Sequence, residues 1–479
     1  MSGEPPTYIG FGEYSQHVPG SIPSAVQQAT RRFVGGRAAR VAELPQWEQL
    51  RQAGSDIRMH TIEHMDVYLA RLEERVTSAG GIVHWAETAE QARRIVIQIA
   101  KEHNVRTAVK SKSMATEEIG LNDALEGAGI QAIETDLGEY IIQLAGTGPS
   151  HIIAPAVHLK KEEIAALFSE KLGIDAPADP AELARIAREV LREKFLNAGM
   201  GISGGNFLVA ETGTLVLVTN EGNGRMCTTM PDLHVAVVGI DKVIPDWESL
   251  TVFLKLLARS ATGQKLSVYT QFITGPRREE AEFGPREFHL VLLDNGRSRI
   301  LRDPVGREVL KCIRCGACAN VCPVYNNVGG FAYGWVISGP IGAILAPQLL
   351  GTETARELPY ASTLCGACAE VCPVKIPIPT LLRHLRKRVA QGDEFAQPTM
   401  PLPIRFTASL ASFALARNWL YRFGTRLLPA MMSIFKRGDW IPAAPYPLSR
   451  WTSQRPLPPF TARFRGWWHA RLRQKGRQA

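Results

Sequence analysis

Cys312-Ile313-Arg314-Cys315-Gly316-Ala317-Cys318-Ala319-Asn320-Val321-Cys322-Pro323 and, further along, Ser362-Thr363-Leu364-Cys365-Gly366-Ala367-Cys368-Ala369-Glu370-Val371-Cys372-Pro373 are two copies of one pattern. The first is a C-x2-C-x2-C-x3-C-P run. Its two-residue gaps let a tight loop wrap three thiolates around one cubane, and its three-residue gap and proline send the fourth toward a neighbouring cluster. Small Gly316, Ala317, Gly366 and Ala367 leave room for backbone N–H groups to approach the sulfides. In a reducing cytosol such cysteines argue for metal rather than disulfides. Zinc ribbons also use C-x2-C pairs, but they do not ask for four cysteines so close together before a proline. The reading is therefore two [4Fe-4S] clusters. Crossing of the fourth ligand assigns one to Cys312, Cys315, Cys318 and Cys372, and the other to Cys322, Cys365 and Cys368. The second set lacks a fourth cysteine, because Ser362 stands where the first copy has Cys312. That place is open to the Ser362 oxygen, to water, to Cys227, to a partner protein, or to nothing, as in a [3Fe-4S] form. Cys227 is isolated in G-N-G-R-M-C-T-T-M, where a cysteine is more often a small buried side chain.

The stretch between the two copies, residues 325–352, carries no charge, and its apolar part is interrupted by Gly334, Gly339, Pro340, Gly342 and Pro347. Its two ends must meet for the ligand crossing, which makes a membrane passage unreasonable. It reads instead as an insert packed over the clusters, a dry shell that tunes their potential. Upstream, short β-rich runs at 82–85, 107–109, 131–134, 151–154, 215–219, 234–238, 266–269 and 289–293 alternate with helical segments. This predicts an α/β domain with a largely parallel sheet over residues 76–296. One helix is well marked: Asp179 caps, Pro180 takes the first turn, Glu182 completes a capping box, and Leu183, Ile186, Val190 and Leu191 form the buried stripe. Residues 1–75 read as a helical segment packed on the domain after it, with apolar spacing at Met65, Val67, Tyr68, Leu72 and Val76. Residues 303–390 form a mostly helical, ferredoxin-like two-cluster domain, and 391–479 a basic tail.

The chain has 479 residues, 45% hydrophobic and 21% charged, which is enough for several domains with real cores and excludes wholesale disorder. The net charge of +9 would suggest nucleic acid if evenly spread, but 14 basic residues and one acid, Asp439, lie from Pro401 onward. Residues 1–400 then hold 41 basic and 45 acidic groups. No nucleic-acid partner is expected. The start, Met1-Ser2-Gly3-Glu4-Pro5-Pro6, lacks the features of a signal peptide, and no run reaches the length of a membrane span. The expected location is cytoplasmic. In the tail, Arg417, Arg422, Arg426, Lys436 and Arg437 lie among apolar residues of candidate helices at 406–416 and 419–435, and five of the nine tryptophans lie beyond residue 400. Such a pattern suits peripheral association with a membrane surface. It equally suits docking on an acidic partner, or a helical pair packed on the clusters ahead of a Pro-rich end.

The α/β region offers weaker chemistry. Residues 109–114, 134–139, 199–206 and 210–214 follow or flank expected strands, where such domains place binding loops. Gly201, Gly204 and Gly205 could present N–H groups to an anion, and Lys110 could pair with a phosphate or carboxylate. No G-x-G-x-x-G follows the first strand, so a flavin or nicotinamide, if used, belongs to a partner.

The order of E-T-D-L-G-E-Y-I-I-Q-L, P-S-H-I-I-A-P-A-V-H, G-G-N-F-L-V-A-E-T-G-T-L and the two cysteine stretches resembles the iron-sulfur subunit of the bacterial lactate-utilisation complex over nearly the whole chain. The resemblance implies an α/β domain similar to the sugar-phosphate isomerase and CoA-transferase fold. It implies a non-catalytic electron carrier in the oxidation of L-lactate to pyruvate, working with a cysteine-rich subunit and a second protein bearing the same α/β domain. A membrane surface or a quinone-linked acceptor is a further candidate partner, with peripheral association at the inner membrane. The other class left open is an α/β enzyme acting on a carboxylic acid or CoA ester, with the clusters as redox sensor.

Overall fold

The computed structural model describes residues 10–279, 283–445, 448–452, 455–458, 467–468 and 471–473. The described residues divide into a unit that ends at Thr399 and another that begins at Met400. The first is built on ten strands: β1 (Ile82–Ala86), β2 (Thr107–Lys110), β3 (Gln131–Glu134), β4 (Met200–Ser203), β5 (Phe207–Val209), β6 (Thr214–Thr219), β7 (Leu233–Gly239), β8 (Val243–Ile244), β9 (Tyr269–Ile273) and β10 (Glu287–Leu293). Six pair in parallel in the order β1-β10-β7-β4-β2-β3, and a smaller mixed sheet runs β8-β5-β6-β9. Every residue of central β7 is buried, as expected of a parallel strand covered on both faces. The helix Ala89–Glu102 starts where the Thr88 hydroxyl accepts from the Gln91 N–H, and it buries Ala92, Val96 and Ile99 on one stripe.

Several sequence expectations need correction. Residues 151–154 are not a strand: the His151 ring accepts from the N–H groups of Ile153 and Ala154, which removes the donors a ladder would use. The run at 266–269 starts too early, because Leu266 and Val268 are exposed and pairing begins at Tyr269 opposite Thr219. β4 lies inside a stretch that reads as a glycine loop. Gly201 sits in mid-sheet between Val109 and His234, and a Cβ there would come 1.7 Å from the Cys227 carbonyl oxygen. Its glycine serves the close approach of the helix Asn223–Thr229, so Gly201 offers no free N–H to an anion. In the helix Pro180–Leu196, the Asp179 carboxylate accepts from Ala181 and Glu182 N–H groups, while Glu182 turns outward to Arg185.

Ahead of the sheet, helices Ser21–Ala42, Trp47–Glu63 and Met65–Ser78 bridge the α/β part and the cysteine region. Met65, Leu69, Leu72 and Val76 face inward, whereas Val67 is 52% exposed. After β10 the described residues of the first unit are helical. The uncharged insert contributes the helix Gly339–Leu349, buried along its whole length, and Arg299 bonds the carbonyls of Gln348 and Leu349 at 2.9 Å to close its C-terminal end. No helix among the described residues is long and apolar enough to cross a membrane. In the second unit, helices Leu402–Ala416 and Asn418–Ser433 leave Leu402, Phe406, Leu410, Trp419 and Phe423 exposed.

Candidate metal centre

The two cysteine copies are the same backbone device. In each, the residue before the second ligand position is left-handed, Arg314 at φ 58° and Leu364 at φ 56°. A glycine with positive φ follows, Gly316 or Gly366, and then a one-turn helix, Ala317–Asn320 or Ala367–Glu370. Cys312 Sγ accepts from the Arg314 N–H at 3.3 Å, and in the second copy Ser362 Oγ accepts from the Leu364 N–H at 3.1 Å. Ser362 thus holds its oxygen in the local position that Cys312 gives its sulfur.

Cys312, Cys315, Cys318 and Cys372 line one cavity of about 20 Å³, walled by Ile313, Ile341, Val374, Ile376 and Ile378. Cys322 lies by Cys365 and Cys368, each close enough to raise its neighbour's ionisation cost. The N–H groups of Tyr325 and Ile376 point at Cys322 and Cys372 sulfurs at 3.5 and 3.3 Å, the kind of contact that tunes cluster potential. Cys227 stands elsewhere, in the core around the helices Lys161–Leu172 and Pro180–Leu196, with its thiol 3.3 Å from the Thr135 hydroxyl; burial pushes it up to about 12.

The donor set fits an iron-sulfur cluster. Burial pushes the Cys315, Cys318, Cys322 and Cys372 thiols up and Cys368 to about 12, so these groups ionise only where a metal compensates the buried charge. A single tetrahedral zinc would draw its sulfurs to within about 4 Å of each other. Among the described residues no three His, Cys, Asp or Glu side chains are placed to hold one ion. A cubane does not ask for such a group, because each of its cysteine sulfurs holds its own iron. The buried Tyr333 hydroxyl lies against the Cys322 thiol, where it can donate to a sulfur. Arg51 donates to the Cys372 carbonyl at 2.8 and 3.0 Å and Arg37 to the Val371 carbonyl at 3.0 Å, which brings two cations to the side of the array. The two arrays differ in access. Cys365 is exposed, and its thiol is lowered by the Ala367 N–H and the Thr363 hydroxyl, while Cys315 and Cys372 are buried.

The α/β sheet brings a second feature to the first array. β2 and β4 are neighbours, and the chain leaves β2 toward β3 but β4 toward β7, in opposite directions, which makes their C-terminal ends the switch point where α/β sheets bind ligands. A cavity of about 330 Å³ opens there, lined by Ser113, Asp136, Asn206 and Glu221 and reaching Ile313 and Arg314 of the first cysteine loop. Lys110 does not serve it: the ammonium is buried and paired internally with Glu134 at 2.6 Å and Glu117 at 2.7 Å. Gly204 and Gly205 do line it. Sequence reasoning passed over Arg297, Glu118, Asp241 and Lys242, which join across the cavity floor with contacts of 2.5–2.9 Å. Burial lowers Lys242 to about 8 and raises Glu221, beside Asp136, to about 7. One signal for Arg314 was available, since the duplicated loop has Leu364 at the same place.

Comparison with known proteins gives two family matches: the LUD domain over residues 69–293 and the 4Fe-4S dicluster domain over residues 308–376. The chain is 47% identical to lactate utilization protein B of Macrococcus caseolyticus over 454 residues, 94% of each chain. It is 46% identical to the proteins of that name from Shouchella clausii, covering 95% of each chain, and Bacillus licheniformis, covering 98%.

Proposed function

Because the chain belongs to the lactate utilization protein B family, we propose that it is an iron-sulfur electron carrier in the oxidation of L-lactate to pyruvate. The observation that carries this is the pair of cysteine arrays, one buried beside the α/β cavity and one reaching the surface at Cys365. Cys312, Cys315, Cys318 and Cys372 would hold one [4Fe-4S] cluster, and Cys322, Cys365 and Cys368 a second, with Ser362 oxygen or an exchangeable group as fourth ligand. Clusters pass electrons singly and take no hydride from an alcohol carbon, so the chemical step belongs to a centre that handles two electrons. A cysteine-rich subunit and a second protein with the same α/β domain would complete the complex. The α/β part is then of the sugar-phosphate isomerase and CoA-transferase type, a reading supported by its parallel order. The apolar, basic tail helices support a docking role, on a partner or peripherally at a membrane with a quinone-linked acceptor. The alternative, an α/β enzyme on a carboxylic acid or CoA ester with clusters as sensor, draws on the same cavity, but a sensor needs only one labile cluster.

The test is deletion of the gene in its host and growth on L-lactate. Growth should fail and return with the native gene but not with Cys315→Ser or Cys368→Ser. Unimpaired growth without a second lactate dehydrogenase would remove the lactate assignment.

A further inference from the structure

We propose that the cavity at the ends of β2 and β4 binds a small organic acid, its carboxylate held by Arg314 and Lys242 beside the Cys312 array. Its volume of about 330 Å³ is at the lower end for small-molecule sites, and its place at the switch point is where such sites form. The charges at its inner end do not balance. Arg297 occupies both oxygens of Glu118, at 2.8 and 2.9 Å, and one oxygen of Asp241, at 2.5 Å. Lys242 takes the other Asp241 oxygen at 2.6 Å. Arg58, buried behind them, is spent on the carbonyls of Val243, Asp241 and Leu310. Glu118 and Asp241 thus face Arg297, Lys242, Arg58 and Arg314, and among the described residues the Nη1 of Arg314 is buried and finds no acceptor, while Asp136 and Glu221 line the same cavity. A buried donor without an acceptor is costly, and the planar guanidinium matches a carboxylate better than any neutral acceptor.

The left-handed backbone at Arg314 belongs to the cysteine loop, as it does at Leu364, and here it leaves the side chain in the cavity wall while the Arg314 N–H donates to Cys312 Sγ at 3.3 Å. One residue therefore touches both the cavity and the first array, and an anion bound to its side chain will be felt by a cluster on Cys312. The binding claim stands apart from the electron-carrier reading; only the spectroscopic readout rests on it.

The test uses the full-length, iron-loaded chain under anaerobic conditions, with labelled L-lactate, pyruvate and inorganic phosphate in equilibrium dialysis. The expected result is one saturable site for L-lactate or pyruvate, weakened at least tenfold by Arg314→Gln. Gln264→Glu, which adds a like charge to the cavity wall, should weaken it as well. Reduction of the cluster should also weaken it about tenfold, a shift of ~59 mV in the one-electron potential. Gln264→Glu keeps the test decisive if Arg314→Gln fails to load iron. No saturable binding of either acid, unchanged binding in both variants, or equal binding of phosphate would overturn the proposal. A lactate growth defect without binding would remove this site and leave the electron-carrier reading intact, and binding without a growth defect would do the reverse.

Discussion

Replacing Arg297 by methionine should cost about 3–5 kcal/mol, because it breaks a buried ion network by removing one partner. The guanidinium side chain is 3% exposed, and Glu118 and Asp241 are each 2% exposed. Without it, among the described residues Glu118 keeps only the Asn295 amide at 2.8 Å and Asp241 keeps Lys242. Burial alone would raise the Glu118 carboxyl; the Arg297 charge overcomes this and holds it below the usual carboxylate range. A carboxyl lowered on folding contributes stability that is full above its ordinary value and is lost as pH falls through the lowered one. In the variant, Glu118 is left raised by burial, so its deficit relative to the native chain should begin to shrink as pH falls through that raised value and should be smaller at pH 4 than at pH 7. Arg297→Met with Glu118→Gln removes both charges and should recover at least about 2 kcal/mol relative to the sum of the singles. The assay is anaerobic urea unfolding followed by far-UV circular dichroism at pH 7 and at pH 4. A loss below about 1 kcal/mol, or additivity within about 0.5 kcal/mol, would refute the view that this network holds the cavity floor.

Gly201→Ala should cost about 3 kcal/mol or more, since its methyl would meet the Cys227 carbonyl oxygen at 1.7 Å; soluble yield and thermal melting check this. Glu139 is raised by burial to about 8, so the native chain loses stability as pH rises from about 4.5 to 8, and Glu139→Gln should gain on it by roughly 3–4 kcal/mol between pH 5 and pH 8, measured by urea midpoints at those two pH values. Mild oxidation should give a [3Fe-4S] EPR signal that persists in Cys312→Ser and fades in Ser362→Cys. Loss of that signal in Cys312→Ser with retention in Cys365→Ser would reverse the assignment of the two arrays.

The two cysteine loops were legible because each is local: the spacing of Cys312 to Cys322 and of Cys365 to Cys372 carries the loop geometry with it, down to the Ser362 that stands in the place of Cys312. The parallel sheet was legible where strands are apolar and β-branched, as in β7 and β10. It was hidden at β4, because Gly201 is required by the packing of a helix that lies further along the chain. Residues 151–154 have strand composition, yet a histidine ring takes their N–H groups, and no local pattern announces that. Lys110 looked like a ligand group and is an internal pair, because its partners Glu117 and Glu134 come from a following helix and the next strand. The cavity draws on segments from Ser111 to Arg314, so its charge balance exists only in the folded chain.

We propose that this chain receives electrons derived from lactate on two clusters held by seven cysteines. The most direct measurement is EPR of the anaerobically purified chain, with iron analysis, mixed with L-lactate in the presence and absence of its presumed partner subunits. About eight iron atoms per chain, no reduction by lactate alone, and reduced [4Fe-4S] signals once the partners are added are the predicted results. About four iron atoms or zinc in their place, or clusters that stay oxidised with partners and lactate both present, would contradict it.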